Sequence, residues 1–285
     1  MAHTLVLSPD HFFSLSRTLE CGQAFRWEHD TADWWEGVVG DEVIRVRQEG
    51  RVLTFTGTSE EHLTEYFALD LDLAPVLDSI DQDPFIHAAI EECAGLRIVR
   101  QPPWECLLSY ICATNTNIPM VKKRVRLLAE TLGERIPGTD HFTFPAKQVF
   151  YGASTELLDR CRLGYRKDYL ASTACRLAAV DKWEERIRAL SYGEARTELT
   201  GLPGIGPKAA DCVLLFGFSR YEAFPIDVWI RRIMQQYYPD TAAEGPFTPK
   251  EYERIRRFAQ GYFGRYAGYA QEYLYGARMG AAAVP

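Results

Sequence analysis

Two residues nineteen positions apart carry groups that could do covalent chemistry. Lys208 lies in Leu202-Pro-Gly-Ile-Gly-Pro-Lys-Ala-Ala-Asp-Cys212, and Asp227 in Phe224-Pro-Ile-Asp-Val-Trp-Ile-Arg-Arg-Ile233. A lysine in the first turn of a helix meets the positive end of the helix dipole. Partial burial there would lower its pKa toward that of a usable nucleophile. Asp227 precedes apolar positions Val228, Ile230 and Ile233, the place of a helix N-cap, and capping alone would explain it. Cys212 is four residues beyond Lys208 and shares its helix face, so it should line the same cavity.

What joins the two is the segment around Lys208. Helical patterns flank it, giving a hairpin over about residues 192–217, with Gly204 and Gly206 between. Glycines there allow positive φ and the close approach of another backbone, and the N–H groups opening the second helix would accept a phosphate oxygen. A phosphate-gripping hairpin, an amine at its edge and a carboxylate at another helix start suit chemistry at a deoxyribose carbon. The amine can attack C1′ and form a Schiff base, while the carboxylate stabilises positive charge on the sugar as the base leaves.

These residues resemble the helix-hairpin-helix DNA glycosylase superfamily, and a lysine beside the aspartate resembles its bifunctional members, which also cleave the strand by β-elimination. The iron–sulfur branch carries four cysteines near its C-terminus, whereas no cysteine follows Cys212, so no such cluster is expected. Hairpins of this kind often hold a monovalent cation on backbone carbonyls; no other cofactor is expected.

Further segments are similar to the 8-oxoguanine DNA glycosylases, and the departures at Met120 and Trp229 resemble a bacterial subgroup of them. Cys21-Gly-Gln-Ala-Phe-Arg-Trp27 matches the segment whose glycine carbonyl, here that of Gly22, accepts the N7–H found only on oxidised guanine. Tyr266-Ala-Gly-Tyr-Ala-Gln-Glu-Tyr-Leu-Tyr275 matches the C-terminal helix; the resemblance gives Gln271 the Watson–Crick edge and Tyr275 the stack on the flipped base, with Cys212 opposite. Asn115 matches the residue that fills the vacated stack, Tyr165 the wedge beside it, and Arg166 one of two arginines holding the orphaned cytosine. Met120 stands where the second arginine would be and cannot donate hydrogen bonds, which implies weaker discrimination for cytosine. Trp229 stands two after the aspartate, where histidine is frequent. The resemblance runs over about residues 5 to 278. Competing expectations are a monofunctional alkylated-base glycosylase, which usually lacks the lysine, and a non-catalytic hairpin module that tethers a partner to DNA.

The elements that must position these residues read as an α+β chain. Trp34–Val39, Val43–Arg47 and Val52–Thr56 are β-branched and aromatic runs separated by Gly-Asp and Glu-Gly, an antiparallel meander. From about Asp83 the period becomes helical, with Trp104, Leu107, Leu108, Ile111 and Cys112 on one stripe. Thr248-Pro-Lys-Glu251 has the form of a capping box. We therefore expect a sheet-bearing domain over 1–98 and an all-helical domain over 99–285.

Composition fits this division. Residues 1–100 carry 19 acidic against 7 basic side chains and residues 101–285 carry 20 against 25, so the net −7 sums unlike halves. The second half could face a polyanion. Seven cysteines without a C-x-x-C, and an N-terminus without an apolar signal region, point to reduced thiols in a cytoplasm. All six histidines precede residue 142 without H-x-x-x-H spacing, so no zinc site is expected. The expected partner is double-stranded DNA containing oxidised guanine, bound by a monomer, with no membrane.

Overall fold

The computed structural model describes residues 2–9, 11–241 and 245–281, with the side chains of 151, 155 and 279–281 left out of account. Strands β1 (His3–Val6), β2 (Trp27–His29), β3 (Trp35–Val39), β4 (Glu42–Glu49) and β5 (Val52–Thr56) form one antiparallel sheet in the order β1-β5-β4-β3-β2. The expected meander is β3-β4-β5, with β2 and β1 added at its two edges. Alternation does the sorting: Ile44 and Val46 of β4 are fully buried, and Arg45 between them is exposed. Trp27 is buried opposite Gly37, which has no Cβ to meet the indole, and its Nε1 donates to the Tyr66 hydroxyl at 2.8 Å. That anchor fixes the end of the Cys21–Trp27 segment.

Helices α1 (Leu15–Glu20), α2 (Glu60–Tyr66), α3 (Ala74–Ile80) and α4 (Pro84–Glu92) surround the sheet or lead away from it. The first three precede Asp83 and were not expected as helices; at six or seven residues each they are too short to show a periodic stripe. The remaining helices are α5 (Pro103–Cys112), α6 (Ile118–Leu132), α7 (Val149–Gly152), α8 (Thr155–Arg160), α9 (Arg166–Ala178), α10 (Trp183–Ala189), α11 (Tyr192–Thr200), α12 (Pro207–Phe218), α13 (Val228–Tyr237), α14 (Pro249–Phe263) and α15 (Ala267–Ala281).

Two hydrophobic cores result, and they do not divide at residue 98. Leu73, Val76, Ile80, Ile86, Ala89 and Cys93 pack with the helical core, whereas Val99 packs with the sheet. The reason is α15, which returns from the C-terminus to lie against α3 and α4. Gly276 lets it close on Cys93, where an added Cβ would come within 2.8 Å of Sγ. At Thr248 the cap is real: its hydroxyl accepts the Glu251 amide, but the Glu251 carboxylate turns to the Arg231 guanidinium (Nε to Oε1 2.9 Å) instead of back to the cap. Among the described residues no helix is long and apolar enough to cross a membrane, and the seven cysteines are free thiols.

Candidate active site

The hairpin forms as expected from α11, the loop and α12. Gly204 has φ +80°, and a Cβ there would come within 2.8 Å of Tyr169, so both conformation and space require glycine. Gly206 differs from expectation. It has φ −89° and caps α12 in extended conformation, with nothing within 4 Å of an added Cβ. Its missing side chain therefore leaves the α12 N-terminus open rather than permitting a left-handed turn. Asp211, the aspartate of the same motif, is structural: it accepts from Tyr192 Oη at 2.6 Å, Tyr252 Oη at 2.6 Å and Arg196 Nε at 2.8 Å, tying α11, α12 and α14 together.

Lys208, in the first turn of α12, is half-buried with Nζ 5.1 Å from the Tyr110 ring centre. Asp227 caps α13, its Oδ1 accepting the Trp229 and Ile230 amides at 2.9 Å each, and it too is half-buried. The expectation of a depressed lysine pKa is overturned. Burial pulls it down, but Cys212 and Asp227 outweigh burial and hold the ammonium above its ordinary value. The Cys212 thiol is itself pushed up to about 12 by burial.

Lys208 and Asp227 stand at the mouth of a cavity of about 120 Å³, which Gly22, Cys212, Gln271 and Tyr275 also line. The core residues that line it all belong to the helical core, and one wall comes from the N-terminal segment between α1 and β2. Gly22 has φ +92°. Its neighbour Gln23 donates to the Thr18 and Arg97 carbonyls at 2.9 and 2.8 Å and accepts the Val99 amide at 2.9 Å. From the other side, the Gln271 Oε1 is buried without a partner. An unpaired buried acceptor is rare in folded proteins and asks for an explanation; a ligand donor is one.

The cavity opens into a groove of about 890 Å³ lined by Asn115, Gly204, Gly206 and Trp229. Asn115 has φ +49° and donates through Nδ2 to the Tyr165 hydroxyl at 3.4 Å, so the two residues expected at the vacated stack are neighbours. Met120 is exposed in the first turn of α6. Arg166 is not presented to a base. It is buried, donates through Nε to the Thr114 carbonyl at 2.9 Å and through Nη2 to the Asn115 carbonyl at 3.3 Å, and stacks on the Tyr165 ring at 4.4 Å. Its work in this structure is to shape the Asn115 loop.

Sequence reasoning missed three residues of the site. Tyr110 carries the Lys208 ammonium, Glu272 enters the cavity beside Gln271, and Arg278 reaches the groove between two aromatic rings, 3.4 Å from Tyr275 and 5.5 Å from Trp229. Signals existed for two: Glu272 is the one charged residue between Arg265 and Arg278, and Arg278 is three residues beyond Tyr275. Among the described residues no group of His, Cys, Asp and Glu could hold a metal ion.

Residues 5–107 match the family model of the 8-oxoguanine DNA glycosylase N-terminal domain. Over 93% of its length the chain is 29% identical to the N-glycosylase/DNA lyase OGG1 of Arabidopsis thaliana, of which it covers 77%. The 8-oxoguanine glycosylase/lyase of Clostridium acetobutylicum is 31% identical, with a TM-score of 0.84 over 93% of this chain and 92% of that one. The chain belongs to the 8-oxoguanine DNA glycosylase/lyase family. A second family member, MBOgg1 solved with a low-affinity DNA ligand, is 33% identical with a TM-score of 0.85, over 98% and 99% of the two chains. Family membership thus extends over both lobes, including the helical part that the family model leaves unmatched.

Proposed function

We propose that this protein is a bifunctional DNA glycosylase/AP lyase, which excises 8-oxoguanine from duplex DNA and then cleaves the strand. The observation that carries the reading is the placement of Lys208 and Asp227 together at the mouth of the Gly22–Cys212–Gln271–Tyr275 cavity. With the nucleotide flipped into that cavity, the Lys208 amine attacks C1′ and the C1′–N9 bond breaks. The base leaves with the bonding electrons and takes up a proton. Asp227 stabilises the positive charge that develops on the sugar. Ring opening gives the Schiff base; loss of a C2′ proton then expels the 3′ phosphate. Because Lys208 rests as an ammonium beside Asp227, its proton must leave before attack.

In this reading the Gly22 carbonyl accepts N7–H, the unpartnered Gln271 Oε1 meets the Watson–Crick edge, and Tyr275 and Cys212 sandwich the base. Asn115 and Tyr165 enter the stack, and the open α12 N-terminus at Gly206 and the Arg278 guanidinium face phosphates. Met120 cannot read the orphaned base, and Arg166 is spent on loop carbonyls, so cytosine should be weakly preferred. The hairpin carbonyls of Leu202 and Pro203 already accept from the Ile205 amide and the Thr173 hydroxyl; a monovalent cation there would share them, and no step runs through it.

Borohydride trapping on duplexes with one 8-oxoguanine opposite each of the four bases tests the reading. A covalent complex is expected with every partner base, and none with Lys208→Gln. Trapping confined to cytosine would remove the Met120 argument alone. Absence of trapping with any partner would overturn the bifunctional mechanism.

A further inference from the structure

Glu272 is 4% exposed and lines the base cavity next to Gln271, and its Oε2 is buried with no hydrogen-bond partner. A carboxyl oxygen kept from water without a partner disfavours folding, and a leucine would fill the same space without that penalty. The Cys21 thiol is a hydrogen-bonding neighbour of this carboxyl group, yet Oε2 itself has no partner, so its use lies with what enters the cavity.

The chemistry of the occupant agrees. An 8-oxoguanine base presents N–H donors at three places: N7, N1 and the exocyclic N2. The cavity presents three acceptors without other duties in the reading above: the Gly22 carbonyl, Gln271 Oε1 and Glu272 Oε2. Ordinary guanine lacks the N7 donor, so only the oxidised base can satisfy all three.

Resting on the glycosylase reading, we propose that Glu272 is a further specificity-determining residue, whose carboxylate accepts an N–H of the flipped oxidised purine. The group is poised to titrate. Burial pushes it up to about 7; the Cys21 thiol, Lys208 and Arg278 act to lower it, and Asp227 to raise it. Cys93, Tyr110, Cys212 and Tyr275 also face it, each held neutral near pH 7 because burial raises its pKa. The carboxylate form is therefore gained as pH rises through about 7.

The test compares two substrates: a duplex with 8-oxoguanine, and the same duplex with a pre-formed abasic site, which has no base to recognise. The readout is the ratio of kcat/KM for base release to kcat/KM for abasic-strand cleavage, so effects on Lys208 or on folding cancel. In Glu272→Gln, which keeps an acceptor oxygen but loses its charge, the ratio is expected to fall about tenfold, the difference between a charged and a neutral hydrogen bond. Glu272→Leu should fall at least as far. In the wild type the ratio should climb as pH rises through about 7, and in Glu272→Gln it should be flat. An unchanged ratio in both variants, or both activities falling in proportion, would overturn the proposal. Failure of the wild type to release 8-oxoguanine while still cleaving abasic DNA would instead bring down the glycosylase reading, and this inference with it.

Discussion

Aspartate and asparagine are nearly equal as helix N-caps, so Asp227→Asn separates the cap from the charge. If Asp227 served only α13, the variant would behave as the wild type. Facing Lys208, it should instead lose about 10²- to 10³-fold in base release while its stability changes by no more than about 1 kcal/mol. Asp227 raises the lysine pKa, so its removal lowers it, and the acidic limb of abasic-strand cleavage should move to lower pH. A pH–rate profile of both proteins checks the sign. Glu272 makes a matching prediction about stability. Its folded pKa of about 7 exceeds the ordinary 4.5, so the folded protein binds the extra proton between those values. Stability from this group is thus greatest below about pH 4.5, falls as pH rises to 7, and is level above it. Glu272→Gln should gain up to about 3 kcal/mol over the wild type at pH 8 and little at pH 4.5, measured by denaturant unfolding. At this scale the sequence could name Lys208, Asp227 and Cys212 as one group, because helix position and spacing are local. It could not give the direction of the lysine shift, because that turns on how closely Cys212 and Asp227 approach the amine against how deeply it is buried.

The hairpin carries the contrast at the scale of elements. Gly204→Ala forces a side chain onto φ +80° and against Tyr169, and should cost about 1–3 kcal/mol. Gly206→Ala meets open space at φ −89°, so stability should stay within about 0.5 kcal/mol of the wild type. Its DNA affinity should nonetheless fall, because the methyl stands where a phosphate would approach the α12 amides. Thermal unfolding alongside DNA titration distinguishes the two; a Gly206→Ala protein that binds as well as the wild type would show that no phosphate sits there. The loop was legible as a hairpin because two glycines between helical patterns have few other uses. Which glycine needs a positive φ was not, since that depends on Tyr169 from α9. The same division runs through the fold. Strands β3 to β5 announce themselves by alternation, whereas β1 joins the sheet by pairing with β5 across some fifty residues. Helix α15 binds α3 and α4 into the helical core from the far end of the chain, so the boundary drawn at 98 could not anticipate it.

For the whole molecule, a net charge of −7 argues superficially against a polyanionic partner, yet the charge is −12 over residues 1–100 and +5 beyond. Affinity for a duplex depends on which charges reach phosphates, because each phosphate neutralised releases counterions irrespective of the total. Arg278 is placed to be one of them. Stacked between Trp229 and Tyr275 in the groove, it has its Nε buried without a partner. Binding by Lys208→Gln protein, which cannot turn over, should therefore weaken at least tenfold between about 50 and 200 mM salt, since even two phosphates suffice for that slope. Adding Arg278→Met should reduce the slope of log K against log salt by about one, and should weaken binding to undamaged and oxidised duplexes alike. A salt-independent affinity would mean that base and stacking contacts dominate. An unchanged slope in the double variant would leave Arg278 as an aromatic spacer that holds Tyr275 against the base, and its loss should then appear in base release and not in binding to undamaged DNA.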